Sequence, residues 1–241
     1  QPDLFISGVS PMALGSDGMP QEVLNIYENH GWVPMASCST SDPPRHTRIR
    51  ALLNKFFTTA KVRALTPYIE EIANDLLDDL GAAGECDFVK AFSHPLPMIV
   101  IARQLGVSTS NLDTFKAWSD AIVEPFGMMI SRERELECAR LVVEMQQFFK
   151  DEIDQRRENP RDDILSILAL EKNDEGDFMP MDELLTVVTI DLLASGNETT
   201  TSGISSGMLK LIEQPDVFNA LKETPGLIPK FVEEVLRLES P

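Results

Sequence analysis

His46 and Arg50 lie four residues apart in the segment Asp42-Pro43-Pro44-Arg45-His46-Thr47-Arg48-Ile49-Arg50. If a helix starts near Pro44, a residue type suited to a first helical turn, the two side chains stand one above the other on the same face. An imidazole and a guanidinium so placed can hold a carboxylate, with the guanidinium supplying a planar fork of donors. They belong to a longer positive strip: no Asp or Glu occurs between Pro43 and Ile69, whereas Arg45, Arg48, Arg50, Lys55, Lys61 and Arg63 are all cationic. A solvated basic face with a surface histidine accounts for the same residues, and the strip alone leaves both readings open.

The run Ser195-Gly196-Asn197-Glu198-Thr199-Thr200-Thr201 is polar and poor in helix formers, yet it interrupts an apolar stretch. One account is a break at Gly196, with Ser195 and Glu198 forming a capping box for a new helix. The other keeps one long helix whose ladder opens locally, where a Thr hydroxyl competes for an i−4 carbonyl and leaves room for water. A buried carboxylate and a hydroxyl beside such a groove would form a proton relay next to a reaction centre. In a third segment, Glu233-Glu234-Val235-Leu236-Arg237, Glu234 and Arg237 form an i, i+3 ion pair. Pairs of this kind are common on helix surfaces and contribute about 0.2–0.5 kcal/mol.

The elements that must position these residues are helices. After a loop-rich stretch to residue 44 with one short helix near 22–29, periodic apolar segments run over 44–57, 67–80, 95–105, 112–123, 133–158 and 163–170. A long one follows over 181–213, on the order of 50 Å if unbroken. Shorter ones cover 216–223 and 227–239. Gly81 and Gly106 are stop signals. The segment 95–105 is apolar nearly all round and should be buried. Period-two alternation is almost absent, so the fold class is mainly α, with any strands short and confined to the N-terminal region.

The composition sets outer bounds. The chain has 241 residues, 43% of them hydrophobic, and 39 acidic against 21 basic side chains give a net charge of −18. This is a globular composition, so a disordered tail or a collagen is excluded, and the acid excess makes nucleic acid a poor partner. Cys38, Cys86 and Cys138 are too few and too scattered for a disulfide framework or a zinc site, which fits a reducing, cytoplasmic setting. No signal peptide or membrane span is evident. The chain opens on Gln1 and reaches Pro241 just after a strong helical pattern, so we expect both ends to continue in the gene product.

Taken in order, these segments resemble the soluble bacterial branch of the cytochrome P450 family. Asp42 to Arg50 is similar to the family's C-helix entry, Gly196-Asn197-Glu198-Thr199-Thr200 to the oxygen-binding groove of its long I helix, and Glu234-x-x-Arg237 to its K helix. The resemblance implies one partial domain over 1–241, from the B region through the K helix, without the family's small sheet elements. Ser195 stands where the family usually has Ala or Gly. The family's haem iron is held by a Cys in a Phe-x-x-Gly-x-x-x-Cys-x-Gly loop beyond the K helix; none of the three cysteines fits that pattern, so the proximal ligand is expected outside this chain.

The implied activity is that of a haem monooxygenase, which splits O2 and inserts one oxygen atom into an apolar small-molecule substrate. The resemblance assigns proton delivery to Glu198 and Thr199, and contact with the haem (iron protoporphyrin) to His46, Arg50, Ser195 and Gly196, the first two at the propionates. It makes Glu234 and Arg237 a buried structural pair, the positive strip a docking face for a ferredoxin-type redox partner, and the loop 126–130, with Met128 and Met129, an adaptable apolar lid. Two other classes compete. One is a non-catalytic member of the same fold without the thiolate; the other is an unrelated all-α ligand-binding protein in which Ser195 begins a new helix.

Overall fold

The computed structural model describes residues 18–81, 85–127, 129–172 and 176–239. These form two compact units: the first takes the described residues up to Thr66 together with Ile99–Ser195, and the second takes Pro67–Met98 together with the described residues from Gly196 onward. Every regular element among the described residues is helical; the only β pairing there is an isolated bridge between Lys172 and Phe178. That bridge follows the seventh helix and is a single pairing, so no strand occurs among the described residues. Among the described residues no helix is long and apolar enough to cross a membrane.

Helices α1 (Gln21–His30), α2 (Arg45–Asn54), α4 (Pro95–Leu105), α5 (Leu112–Val123), α6 (Arg132–Glu158) and α7 (Ile164–Leu170) fall within a few residues of the ranges read from periodicity. Helix α3 (Thr59–Gly81) is the exception, because it begins eight residues before Pro67 and carries that proline inside. A proline deletes one ladder hydrogen bond, and the good helix formers Ala60, Lys61, Arg63, Ala64 and Leu65 before it sustain the turn. In α4, Met98, Ala102 and Leu105 are fully buried and Ile101 nearly so, as its apolar sequence requires.

The core of the first unit is built on α6. Cys138, Val142, Met145, Phe149, Ile153 and Arg156 recur every three or four residues along its buried face. Phe115 and Trp118 of α5 meet Phe148 and Phe149 of α6, with ring centroids 5.4–6.4 Å apart in mostly edge-to-face arrangements. The α6 N-terminus is capped by Ser131, whose hydroxyl accepts the Arg134 N–H at 3.2 Å.

At the other end of α6, Arg156 is completely buried. It donates to the Gly106 carbonyl at 2.6 Å and to Asp163 Oδ2 at 3.2 Å, and it also pairs with Glu152. Gly106 ends α4 with φ +76°, and a Cβ there would collide with the Asp163 carboxylate. Gly106→Ala therefore combines a left-handed backbone with a collision at a buried carboxylate, and should cost on the order of 2 kcal/mol or more. The midpoint of urea unfolding checks this, and a change within a few tenths of a kcal/mol would contradict it.

The chain then turns into a helical run over residues 181–213. It starts as α8 (Met181–Thr186), continues through a π-helical segment (Val187–Ala194) and ends as α9 (Ser195–Glu213). In the second unit, α10 (Pro215–Glu223), a short 3-10 turn (Pro225–Leu227) and α11 (Ile228–Glu239) follow.

Candidate functional site

Helix α2 sorts the positive strip into compensated and uncompensated charges. Arg45 and Arg48 converge on one oxygen of Glu183, at 2.7 and 2.5 Å, and the Glu183 side chain is only 5% exposed. A carboxylate so buried needs this pairing, since desolvation alone would disfavour its charge. Lys55 pairs with Glu171 at 2.9 Å. His46 is half-buried and Arg50 exposed, and neither makes a hydrogen bond or ion pair among the described residues. The strip is therefore not the uniform positive face that the sequence suggests. Glu171 and Glu183 lie more than a hundred positions away in the chain, and only the fold brings them to it.

The helical backbone runs unbroken from residue 181 to residue 213. Ser195 is helical, with φ −63° and ψ −35°. Its N–H and its hydroxyl, the latter at 2.8 Å, both bond the Ile190 carbonyl. Ser195 therefore does not start a helix, which excludes the capping-box reading and, with it, the unrelated all-α protein. The ladder does open locally, but earlier than the sequence suggested, over Val187–Ala194, where the bonding shifts to i→i+5. Hydroxyls line that stretch: Thr186 donates to the Asp182 carbonyl and Thr189 to the Leu185 carbonyl, at 2.8 and 2.7 Å.

Ser195 and Gly196 are exposed, as are Thr199 and Thr200, whereas Asn197 is fully buried. Asn197 Nδ2 donates to Glu198 Oε1 at 2.9 Å, and Thr201 donates to Asn197 Oδ1 at 3.4 Å. Asn197 thereby fixes the rotamer of the half-buried Glu198 carboxylate, a part the sequence reading did not assign to it. Also within the second unit, Phe88, Phe92, Thr199, Gly203, Phe231 and Val235 line an apolar groove of about 740 Å3.

Arg237 Nε donates to Glu234 Oε2 at 2.7 Å, so the expected pair forms. It is not buried, however: the two side chains are 66% and 58% exposed. Of the residues of α11 only Val235 is buried, so the pair stays in water and carries the small stabilisation of a surface contact. The loop expected as a lid is a 3-10 turn, Glu124–Gly127, followed by Met129, which is 93% exposed; Met128 lies outside the described residues.

Burial pushes the thiols of Cys38 and Cys138 up, against the opposing charges of Arg50 and Arg134 respectively, so both stay protonated at neutral pH. Cys86 is exposed. Sequence reading passed over Asp191, which accepts the Cys38 N–H at 2.9 Å and whose other carboxylate oxygen is buried without a hydrogen-bond partner. The signal was present, because Asp191 is the sole charge between Leu184 and Asn197.

These observations bear on whether the chain suits a haem. His46 and Arg50 offer a donor set for two carboxylates, free of internal partners. The small polar positions 195, 196, 199 and 200 are exposed on a helix whose preceding segment is buried. Each set by itself suits the chemistry of such a group, donors for carboxylates on α2 and small polar residues on α9, while neither buried cysteine sits where a thiolate is favoured.

The cytochrome P450 family model matches residues 33–224, and the chain belongs to that family. It is 37% identical over 236 residues to cytochrome P450 YjiB of Bacillus subtilis, covering 97% of this chain and 57% of that protein. With 6-deoxyerythronolide B hydroxylase of Saccharopolyspora erythraea it shares 35% identity over 224 residues, 93% of this chain and 52% of the relative. The solved structure of cytochrome P450 CREJ with (4-ethylphenyl) dihydrogen phosphate superposes with a TM-score of 0.84 at 28% identity, covering 97% of this chain and 57% of that one. The chain thus spans about half the length of the curated relatives it matches.

Proposed function

We propose that the protein is a haem-thiolate monooxygenase inserting one oxygen atom from O2 into an apolar small-molecule substrate. The observation that carries this reading is the family match over residues 33–224 together with an unbroken helix through Ser195, Gly196, Asn197, Glu198 and Thr199. Relatives named as hydroxylases and monooxygenases support the reaction class.

When bound, haem supplies thiolate-assisted cleavage of O2. The chain's own residues do the rest. His46 and Arg50 neutralise the two propionates, which Arg45 and Arg48 cannot do while Glu183 engages them. Ser195 and Gly196 present little bulk and would leave room for the group beside the helix. Glu198, hydrogen-bonded by Asn197, would hold and release a proton at its carboxyl, with the Thr199 hydroxyl as the neighbouring donor and acceptor. The proximal cysteine is assigned to a segment other than these residues. A ferredoxin-type partner, with a surface of opposite sign, is placed at α2 and Arg63, and the protein is assigned to the cytoplasm.

The first test is haem affinity. His46→Ala together with Arg50→Ala should weaken it by about tenfold or more, the loss of two charge-assisted contacts. Titration of apo-protein with haem, followed by quenching of Trp32 and Trp118, measures it; unchanged affinity would overturn the assignment of these residues. A preparation of residues 1–241 alone, reduced and exposed to carbon monoxide, should lack the red-shifted Soret band of thiolate-bound haem. Its appearance would mean that one of the three cysteines is a ligand.

A further inference from the structure

The segment between α1 and α2 has no regular structure but is fastened at intervals to neighbouring helices. Gln146 of α6 holds Trp32 at both ends, accepting its N–H at 3.0 Å and donating to its carbonyl at 2.8 Å. Thr186 accepts the Met35 N–H at 3.1 Å, Arg45 donates to the Ala36 carbonyl at 3.2 Å, and Asp191 accepts the Cys38 N–H at 2.9 Å. Gln146 and Thr186 are neutral and stay so. Asp191 is the acceptor that can change charge.

We propose that Asp191 is a charge-dependent clasp on residues 35–41, holding them against the π-helical segment when its carboxyl is neutral and releasing them as it ionises. The geometry supports this directly. One oxygen is committed to the Cys38 N–H, and the other is buried with no donor to stabilise a negative charge. Opening the segment would expose that oxygen to water.

The electrostatics give the direction. Burial pushes the Asp191 carboxyl up to about 6, opposed by the Cys38 N–H bond and by Arg45. Arg45 is itself bound to Glu183, and Arg50 faces the Cys38 thiol. Helices α5 and α6, packed on the same segment, present no charge that shifts it. A solvated Asp releases its proton near 4. The closed state therefore binds more protons than the open one between about pH 4 and pH 6, and rising pH favours opening across that window by up to about tenfold per unit. Above it both states are ionised and the effect levels off. This follows from residues of the first unit alone.

Hydrogen exchange on the full chain tests the clasp. Protection of the peptide covering residues 35–41, corrected for the intrinsic pH dependence of exchange, should fall by up to about tenfold from pH 5 to pH 6 and then level off. Asp191→Asn accepts the same N–H but cannot ionise, so its protection should be flat with pH and exceed wild type at pH 7.5. Thr186→Val should lower protection at every pH while keeping the wild-type slope. Alkylation of Cys38, read against the exposed Cys86 in the same sample, should be slower in Asp191→Asn at pH 7.5. Wild-type protection that is flat or rises with pH, or an Asn variant that keeps the slope, would overturn the proposal.

Discussion

Arg156→Met is expected to lower the stability of the protein by about 3–5 kcal/mol, the cost of leaving a buried charge without its partner. The Arg156 side chain is completely buried, and the Asp163 side chain it meets is only 6% exposed. Asp163 is also committed elsewhere, since its other oxygen caps α7 by accepting the Ser166 N–H at 2.6 Å. Without the guanidinium, that buried carboxylate loses its opposite charge, and the Gly106 carbonyl loses its donor as well. Adding Asp163→Asn removes the orphaned charge and keeps the cap, so the double variant should recover part of the loss. Arg156→Lys keeps the charge but not the fork of donors, and should fall between wild type and Met. Urea unfolding with matched m-values measures all three. A loss below about 1 kcal/mol in Arg156→Met would show that this cluster is not what ties the ends of α4, α6 and α7 together.

The Arg156 cluster also marks the limit of what the sequence could tell. Helices announce themselves locally: the apolar stripe of α6, the Gly106 stop and the Asp163 cap each need only a few neighbouring residues, and most helix ranges are legible for that reason. Partnerships across the chain are not. Glu183 is an ordinary first-turn acid of α8 until the fold sets Arg45 and Arg48 against it. Asp191 looks like an anomaly in an apolar run until the Cys38 N–H is found on it. Pro67 misleads for the opposite reason, because a proline reads as a helix start although it removes only one hydrogen bond from a helix already under way. The Glu234 and Arg237 spacing correctly gives a pair, but spacing carries no information on burial, and the pair is exposed. In the long helix, the hydroxyl-rich composition shows that the ladder is perturbed. It does not show that the opening falls at Val187–Ala194, ahead of the threonines, because that depends on how residues 181–194 pack in the core.

Thr199→Ala should uncouple turnover in the holoenzyme while leaving substrate binding nearly intact. The reasoning starts from the unbroken helix, in which residue 199 is exposed and lies one position beyond a carboxylate already oriented by Asn197. The substitution removes one hydroxyl and little surface, so substrate affinity should change by less than about threefold, under 1 kcal/mol. Without the hydroxyl to pass the proton on, product formed per NAD(P)H consumed should fall by about tenfold, the low end of what a positioned proton-transfer group contributes, with hydrogen peroxide rising to match. Glu198→Gln should behave differently. Its amide oxygen can still accept from Asn197 Nδ2, so the side chain keeps its place, but an amide cannot donate and recover a proton as a carboxyl does. Turnover should therefore slow by about tenfold to a hundredfold, and the loss should not be relieved by raising substrate concentration. Asn197→Ala separates positioning from relay: it leaves the Glu198 carboxyl intact but removes its hydrogen bond from Asn197, and should fall between wild type and Glu198→Gln. Product, hydrogen peroxide and NAD(P)H measured in one reaction distinguish the three variants. Unchanged coupling in Thr199→Ala would remove this residue from the proton path and leave the exposed hydroxyl as a feature of the helix surface alone.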